Sequence, residues 1–188
     1  MTVLQDEMLL YHGSYAKISE INLSLCRRGK DFGKGFYVTN SREQAERFVN
    51  LSVRREIRSG QIPDNTVNGY LNVFRLHLTS ELKLHYFESA NLDWLHFVAA
   101  NRNRALFADI QSVLSPFDVI GGKIANDRTA QTLQLYVSGG YGQPGSEIAD
   151  QIAIMTLLPN RLEEQFCFRT DRSVQALEYV ESVKYAVR

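Results

Sequence analysis

The chain has few cysteines, no long hydrophobic run and no excess charge of either sign. Cys26 and Cys167 are its only cysteines in 188 residues, and they lie far apart without metal-ligand spacing. This pattern favours two free thiols in a reducing compartment over a disulfide. No apolar run approaches the roughly 18 residues that span a membrane, and no basic segment precedes the first apolar residues, as a secretory signal requires. We therefore expect a cytoplasmic protein that does not span a membrane.

The balance of charge argues against a generally basic nucleic-acid binder. Lys and Arg together number 21, as do Asp and Glu, so attraction to nucleic acid or to an anionic membrane would have to come from a local patch. With 44% hydrophobic residues the chain also lies outside the disordered class. Its length suits one domain over residues 1–188 with a substantial core.

Short apolar strands alternate with helical patterns along the chain, which predicts a single-domain α+β fold. Strands are predicted over 8–12, 35–39, 70–78, 82–87, 117–124 and 162–170, and 179–187 fits a helix end or a strand. Capping residues followed by apolar positions three or four apart predict helices that begin near Ser41, Asn91, Asp127, Ser146 and Asp171. Gln44, three residues after Ser41, completes the sequence pattern of a capping box.

Two polar side chains stand beside glycines at the ends of predicted strands. His12 precedes Gly13 and Ser14 in LLYHGS, and Tyr37 follows Gly35 in FGKGFYVT. A histidine can donate or accept a hydrogen bond near pH 7, and a tyrosine ring can stack on a planar heterocycle. A glycine lets a ligand approach the backbone closely. Each feature alone also fits an ordinary strand end or turn, but the combination is specific.

The order LLYHGS, FGKGFYVT and then AERF at 45–48 resembles the NAD-binding half of the ADP-ribosyltransferases in the poly(ADP-ribose) polymerase and diphtheria-toxin branch. The chain is also similar to the bacterial family catalogued as domain of unknown function 3990, through WLHFVAANR (94–102), FDVIGGKIANDRT (117–129) and QFCFRTDRSVQAL (165–177). The resemblance covers most of the chain. It implies two small packed β-sheets with flanking helices and a central NAD cleft, in which NAD is a cleaved substrate.

The resemblance also implies a role for each residue of these motifs. His12 would hydrogen-bond the nicotinamide-side ribose with help from Ser14, and the backbone of Gly13 would hold the carboxamide. Tyr37, which follows Gly35 in the second motif, would stack on nicotinamide. The reaction would displace nicotinamide at the ribose C1 carbon, where charge develops as in an oxocarbenium ion.

Gln165 is a departure from the pattern of this branch. Its enzymes commonly carry a glutamate on a late strand, and the matching segment QFCFR begins with an amide. An amide can hold a ribose hydroxyl but cannot act as a base or carry negative charge. The substitution therefore predicts single transfer of ADP-ribose rather than chain elongation. His12, Tyr37 and Gln165 are the predicted catalytic residues.

Strand alternation predicts which side chains near Gln165 can reach the cleft. In LEEQFCFRT it sends Gln165, Cys167 and Arg169 to one face and Glu164, Phe166 and Phe168 to the other. The two phenylalanines belong in the core, so we expect Gln165 to face the cleft and Glu164 to face away from it. Asp31 and Asp127 lie in loops that could bring a carboxylate to the site.

The remaining charged and ring side chains fit an ordinary globular protein. Seven basic residues are predicted to lie on a solvated surface: Arg27, Arg28, Lys30 and Lys34 in the loop between the two motifs, and Arg54, Arg55 and Arg58 on the helix. The alternative is that the loop arginines contact the diphosphate of NAD or the phosphates of a nucleic-acid acceptor. Trp94 and His96 are predicted to be core residues. His77 and His85 fall in strands without metal-ligand partners, so no metal site is predicted.

We therefore expect an NAD-dependent mono-ADP-ribosyltransferase that acts as an intracellular toxin or effector. The family context implies the toxin of a toxin–antitoxin or phage-defence pair, with a cognate antitoxin protein as partner and a protein or nucleic acid as acceptor. Two alternatives stay open. One is an NAD glycohydrolase with water as acceptor, and the other is a catalytically inactive NAD- or ADP-ribose-binding module, which Gln165 also fits.

Overall fold

The computed structural model describes residues 4–124, 127–157 and 163–187. Its strands in chain order are β1 (Leu9–Ser14), β2 (Phe36–Val38), β3 (Asn68–Leu76), β4 (Leu84–Phe87), β5 (Val119–Lys123), β6 (Glu164–Phe168) and β7 (Leu177–Ala186). The six α-helices of the described residues are α1 (Arg42–Arg58), α2 (Leu92–Arg102), α3 (Ala108–Leu114), α4 (Asp127–Val137), α5 (Glu147–Leu157) and α6 (Asp171–Gln175). The predicted α+β class is confirmed. Among the described residues, none of these helices is long and apolar enough to cross a membrane.

The first sheet consists of three antiparallel strands in the order β1-β3-β7. Helix α1 packs on one face of this sheet, where Ala45 and Val49 contact Leu71. The helix begins where predicted, because the Ser41 hydroxyl accepts a hydrogen bond from the Gln44 backbone N–H at 3.2 Å. Its position on the sheet brings the first two turns of α1 directly over β1.

The second sheet has four strands in the order β2-β6-β5-β4, of which only the β4–β5 pair is parallel. Phe166 and Phe168 of β6 point into a core cluster shared with the first sheet. Cys167, between them, points into a second cluster with residues of α2 and α5, among them Trp94 and Ala149. The sheet is therefore buried on both faces, and β2 is the edge strand nearest the first sheet.

Some local predictions need correction. The N-cap of α6 is Thr170 rather than Asp171, because the Thr170 hydroxyl accepts from the Ser173 N–H and the Ser173 hydroxyl accepts from the Thr170 N–H. The segment 179–187 is strand β7 through residue 186, paired along β3, and helix α3 was not predicted. Helix α4 begins at Asp127 as predicted, but the Asp127 side chain lies outside the described residues.

A glycine-rich connection joins α4 to α5. Residues 140–145 read GYGQPG, which has the G-x-G-x-x-G spacing of a dinucleotide-binding loop. That loop must join a strand to a helix, and this segment joins two helices. The Gly145 N–H donates to the Tyr136 hydroxyl at 2.9 Å, so the connection is tied to α4. It is a structural turn, and the spacing does not indicate a Rossmann site.

Candidate active site

The two sheets separate at a gap between β1 and β2. Tyr11 and Thr39 form an isolated bridge, in which each N–H donates to the other's carbonyl, at 2.8 and 3.0 Å. Since the N–H and C=O groups of alternate residues point to the same side of a strand, those of Gly13 also point away from β3. No described strand pairs with Gly13 on that side. Strand β1 therefore presents one hydrogen-bond donor and one acceptor to the gap.

His12 closes the other side of this gap. In antiparallel register with the Tyr11–Thr39 bridge, Tyr37 lies opposite Gly13, and its carbonyl is 2.6 Å from His12 Nδ1. Because a carbonyl only accepts, Nδ1 carries the ring proton, and Nε2 is left as an acceptor in the neutral ring. Burial lowers the pKa of His12, and the Arg55 charge acts in the same direction, while the hydrogen bond to Tyr37 opposes them. His12 is therefore a neutral acceptor near pH 7.

The loop before β2 fixes the ring of Tyr37. The Tyr37 hydroxyl accepts from the Phe32 N–H at 3.0 Å and donates to the Gly33 carbonyl at 2.7 Å. The Phe32 and Tyr37 rings are nearly parallel, with 6.5 Å between their centroids. Burial, followed by the effect of Cys167, raises the pKa of Tyr37 well above its ordinary value. Tyr37 is thus a neutral, half-buried ring held in one orientation beside the gap.

Packing explains the glycines of both motifs. A Cβ on Gly13 would lie 2.0 Å from the Ala45 carbonyl oxygen of α1, and one on Gly35 would lie 2.5 Å from Cys167 Sγ. The space that Gly13 leaves is therefore filled by α1, and a ligand can approach this residue only along its N–H and C=O edge. Ser14 is buried, and its hydroxyl accepts from the Ala16 N–H at 3.2 Å, so it stabilises the turn after β1.

Gln165 lies on the same face of the second sheet as Tyr37. Tyr37 pairs with Cys167, and Gln165 is two residues earlier on β6. Diagonal neighbours of this kind are roughly 7–8 Å apart, within reach of long side chains. The predicted alternation is confirmed, since Phe166 and Phe168 are buried in the core on the opposite face. Cys167 is fully buried as well, so only the first part of β6 on the Gln165 face is accessible.

The carboxylates near Gln165 are engaged by basic side chains. Glu164 lies on the opposite face, as predicted, and accepts from Lys123 Nζ at 2.7 Å. Asp31 accepts from Arg102 Nη2 at 2.6 Å, and its charge contributes to the raised pKa of Tyr37. Of the two candidate loop carboxylates, Asp31 therefore lies near Tyr37 beside the gap. The side chain of the other candidate, Asp127, lies outside the described residues.

Four cations lie in or next to the loop that precedes β2, and we name them the basic rim. They are Arg27 and Lys30 of the loop, Arg55 of α1 and Arg102 of α2. Glu56 on α1 accepts from Arg27 Nη2 at 2.9 Å and from Arg55 Nε at 2.9 Å. Lys30 is exposed, but desolvation by the neighbouring groups lowers its pKa, and the charges of Arg55, Arg27 and Arg102 lower it further against the effect of Asp31. The rim is therefore electropositive, and the Glu56 carboxylate joins Arg27 of the loop to Arg55 of α1.

The sequence interpretation missed Glu56, although a signal was present. The side chain of Glu56 is only 3% exposed, and the residue falls on the α1 face that also buries Ala45, Val49 and Ser52. A carboxylate at a position with the spacing of the apolar face indicates a buried ion pair rather than a solvated charge. Burial alone would raise the pKa of Glu56, but hydrogen bonds and charges from Arg55 and Arg27 lower it.

A separate cleft of about 570 Å³ lies at the opposite edge of the second sheet, between β4, α2 and α3. Its polar lining includes His85, Glu88, Asp93, His96 and Asp109, and no Lys or Arg is among its lining residues. His85 Nε2 is buried without a hydrogen-bond partner among the described residues. This cleft is acidic, in contrast to the gap beside the basic rim.

The predictions for the ring side chains on α2 have different outcomes. Trp94 is fully buried, as predicted, and its indole N–H donates to the Lys123 carbonyl at 2.8 Å. His96 lies at the wall of the acidic cleft instead of in the core, with 23% of its side chain exposed and its Nε2 2.8 Å from Asp150 Oδ2. The Asp150 carboxylate explains this position, because an imidazole that hydrogen-bonds a carboxylate is polar and is compatible with contact to water.

His77 has acidic partners that the sequence interpretation did not find. Its two ring nitrogens lie 3.0 Å from Glu7 Oε1 and 2.7 Å from Glu178 Oε2. Asp6, Glu7 and His77 could together hold a metal ion, because one ligand atom from each lies within 4.8 Å of the others. The hydrogen bond to Glu178 raises the pKa of His77 against partial desolvation, and the Glu7 charge adds to this effect. The two carboxylates therefore stabilise the protonated imidazole relative to the neutral ring.

The chain belongs to the protein family described as "Protein of unknown function (DUF3990)", which matches residues 8–179. No curated protein matches the chain. The family match begins one residue before β1 and ends within β7, so it includes the gap between the sheets, the loop before β2 and the strand that carries Gln165. The expected similarity to the family catalogued as domain of unknown function 3990 is confirmed.

The gap is suited to a ligand that carries a planar amide. A primary carboxamide has one acceptor oxygen and donor N–H groups, so it can pair with the free N–H and C=O of a strand as a neighbouring strand would. The Tyr37 ring can stack on a planar heterocycle, and neutral His12 Nε2 can accept from a hydroxyl. The three groups belong to residues that are neighbours across the gap, since Gly13 lies opposite Tyr37 and His12 Nδ1 is bonded to the Tyr37 carbonyl.

Proposed function

We propose that the protein is an NAD-dependent mono-ADP-ribosyltransferase with an ADP-ribosyltransferase-like fold. The observation that carries the proposal is the backbone edge of Gly13, which no described strand pairs and which lies opposite Tyr37, the residue whose carbonyl holds His12. The nicotinamide riboside half of NAD offers the matching groups, namely a carboxamide on a planar ring and the hydroxyls of the ribose attached to the ring nitrogen. The motif resemblance and this geometry support the same three residues independently.

Charge supports the gap over the acidic cleft as the NAD site. The diphosphate of NAD is anionic, and the lining of the cleft near β4 includes Glu88, Asp93 and Asp109 without a Lys or Arg. Like charges in a cleft of low dielectric repel strongly. The basic rim lies beside the gap, and within it Arg55 is close enough to Lys30 to lower the pKa of that amine. An anionic dinucleotide is therefore expected at the gap.

The proposed reaction breaks the bond between ribose C1 and the nicotinamide nitrogen, and its electron pair neutralises the charged ring. The acceptor supplies the electron pair of the new bond at C1 and loses a proton to solvent or to a base. Gln165 would hold a ribose hydroxyl, and its amide contributes no charge to the developing oxocarbenium ion. Asp31 is close enough to Tyr37 for its charge to raise the pKa of that hydroxyl, but its salt bridge with Arg102 ties it to the rim.

The test is incubation of the purified protein with NAD labelled in its adenylate half and with fractionated cell extract. We expect nicotinamide release, label in one macromolecular fraction and single ADP-ribose units by mass spectrometry. The variant Tyr37→Ala should lose both signals, whereas Asp93→Asn in the acidic cleft should keep them. Nicotinamide release without labelled macromolecule would instead identify an NAD glycohydrolase. NAD binding without release above the uncatalysed rate would identify a binding module.

A toxin or effector role is part of the proposal, and it follows from the same activity. Transfer of ADP-ribose to an essential macromolecule would arrest growth when the protein is made without a cognate antitoxin. Induced expression should therefore reduce colony formation, and Tyr37→Ala at equal expression should restore it. Equal toxicity of the two proteins would contradict a role that depends on NAD.

A further inference from the structure

We propose that the surface formed by the basic rim binds single-stranded nucleic acid and that this nucleic acid is the acceptor of ADP-ribose. The binding itself rests on the surface alone, and the acceptor role rests on the function proposed above. The distribution of charge, the burial of the two acidic residues within the surface and a nearby exposed tyrosine support this binding.

The cations are concentrated in three segments that meet beside the gap. Nine Lys and Arg residues lie within 27–34, 54–58 and 102–104, together with two carboxylates, Asp31 and Glu56. Ion pairs join the segments, because Arg27 of the loop reaches Glu56 of α1 and Arg102 of α2 reaches Asp31 of the loop. The charge balance of the whole chain therefore conceals a strongly basic region.

The acidic residues of this region contribute little to its outer surface. The side chains of Asp31 and Glu56 are 12% and 3% exposed, whereas those of Arg27 and Arg55 are 56% and 49% exposed. Solvent therefore meets the guanidinium groups rather than the carboxylates. A continuous surface of this kind attracts phosphodiesters, because each contact releases condensed counterions.

The number of cations exceeds what NAD requires. The diphosphate of a dinucleotide carries about two negative charges and is satisfied by two or three cationic or backbone contacts. Arg28, Lys30 and Lys34 are exposed residues of the loop before β2, and Arg58 is exposed in the last turn of α1. An extended polyanion can contact this whole set, whereas one dinucleotide cannot.

An exposed aromatic ring favours a single strand. Tyr15 is 39% exposed, and its backbone N–H donates to the Ser52 hydroxyl at 3.1 Å. Ser52 is one turn before Arg55 on α1, so this bond places the backbone of Tyr15 one helical turn from a residue of the basic rim. Unpaired bases stack on such rings while basic side chains follow the phosphates. A single strand can also bring a base to the gap without the cost of opening a duplex.

Binding can be measured by fluorescence anisotropy with a labelled 20-nucleotide single strand, as RNA and as DNA of one sequence, at 50 and 200 mM salt. The test variant, which we call the rim variant, combines Lys30→Glu in the basic rim with Arg28→Glu at an exposed neighbouring position of the same loop. The control is Lys83→Glu with Lys184→Glu, which makes the same charge change at exposed sites outside the rim. Circular dichroism and the melting temperature would show that both variants are folded.

We expect the control to bind as the unchanged protein does and the rim variant to bind at least tenfold more weakly. Loss of two phosphate contacts should also reduce the slope of log affinity against log salt by roughly 1.4, since each single-strand contact contributes about 0.7. Equal weakening by the control and rim variants would overturn the proposal. So would equally strong binding of polyglutamate, which would indicate an acidic protein partner.

Transfer is then tested separately with labelled NAD and the same oligonucleotides. Label on RNA or on DNA identifies which strand is the acceptor and supports the proposal. Oligonucleotide binding without any nicotinamide release would overturn the enzymatic function but leave the binding surface standing. Label that appears only on protein, with oligonucleotide binding absent, would overturn the nucleic-acid acceptor and leave the enzymatic function standing.

Discussion

At the scale of single residues, the two ring nitrogens of His12 have different roles. Nδ1 is held by the Tyr37 carbonyl at 2.6 Å, and Nε2 is the acceptor that faces a ligand under the proposed function. The variant His12→Ala should weaken NAD binding by about 1–3 kcal/mol, the loss of one buried polar contact. Isothermal titration calorimetry measures the change. Unchanged affinity in both His12→Ala and Tyr37→Ala would contradict the assignment of the gap as the NAD site.

The same nitrogen predicts a pH dependence of NAD binding. Burial lowers the pKa of His12 below its ordinary value, so the ring is neutral at pH 7 and Nε2 can accept. As the pH falls through this lowered pKa, protonation converts Nε2 into a donor, and we expect affinity to fall. Calorimetry between pH 7.5 and the lowest pH at which the fold persists would show the decline. The variant His12→Gln, whose amide does not titrate, should bind with much less dependence on pH.

His12 also links folding to pH with a definite sign. Its pKa in the folded protein is below the ordinary value of about 6.5, so the unfolded chain binds more protons between the two values. The free energy of unfolding should therefore fall as the pH decreases from about 6.5 toward the lowered pKa of His12. The raised pKa of His77 acts oppositely, since its contribution is present at low pH and is lost as pH rises.

Gln165 can be tested by one substitution that removes its amide and one that restores a carboxylate. Gln165→Ala should reduce nicotinamide release by roughly 1–3 kcal/mol in transition-state free energy, because a hydrogen bond to the ribose is lost where charge develops. Gln165→Glu should keep the fold and raise NAD hydrolysis, since a carboxylate stabilises an oxocarbenium ion better than an amide. Rates of nicotinamide release measure both effects. Full activity in Gln165→Ala would exclude a catalytic role.

At the scale of elements, the contact between α1 and β1 depends on Gly13. A methyl group there would meet the Ala45 carbonyl oxygen at 2.0 Å, so the helix would have to move. We expect Gly13→Ala to reduce the free energy of unfolding by at least about 1–3 kcal/mol, the usual effect of overpacking. Chemical denaturation measures this loss. Gly29→Ala separates the clash from backbone strain, because its Cβ would have open space and its φ of 75° alone should cost roughly 1–2 kcal/mol.

The loop before β2 is the least regular element of the site, and its placement depends on long-range partners. Glu56 holds Arg27, Asn101 donates to the Asp31 carbonyl at 3.0 Å, and the Phe32 N–H donates to the Tyr37 hydroxyl. The loop is therefore tied to α1, α2 and β2 at once. This explains how a segment with one short 3-10 turn can hold an aromatic ring in a defined orientation.

At the scale of the whole molecule, each sheet has its own packing partners, and NAD in the gap would contact both sheets. A ligand that binds only the folded protein stabilises it by about 2.7 kcal/mol at one hundred times its dissociation constant. For a domain of this size that corresponds to a rise in melting temperature of several degrees. We expect this rise for the unchanged protein and for Asp93→Asn, and a much smaller one for His12→Ala. Loss of the rise in Asp93→Asn alone would move the site to the acidic cleft.

Local sequence patterns predicted most elements because their causes are local. The hydroxyl of Ser41 and the amide of Asn91 cap the helices that follow them, and each contact spans three residues. Helix α3 was missed because it has only seven residues and no side-chain hydrogen bond at its N-cap, Phe107. Segment 179–187 was ambiguous by itself, and its pairing with β3 decided that it is a strand.

The sequence by itself determined the family, the α+β class, the motif residues His12 and Tyr37, and the faces of β6, because motif order and strand alternation are properties of neighbouring residues. Only the tertiary structure decided that Tyr11 and Thr39 form the bridge beyond which β1 and β2 diverge, so that no described strand pairs with the outer edge of Gly13. It also decided that Glu56 is buried between Arg27 and Arg55. These features depend on hydrogen bonds and ion pairs between residues far apart in the chain, and no local pattern specifies which distant partner a strand edge or a charge will meet.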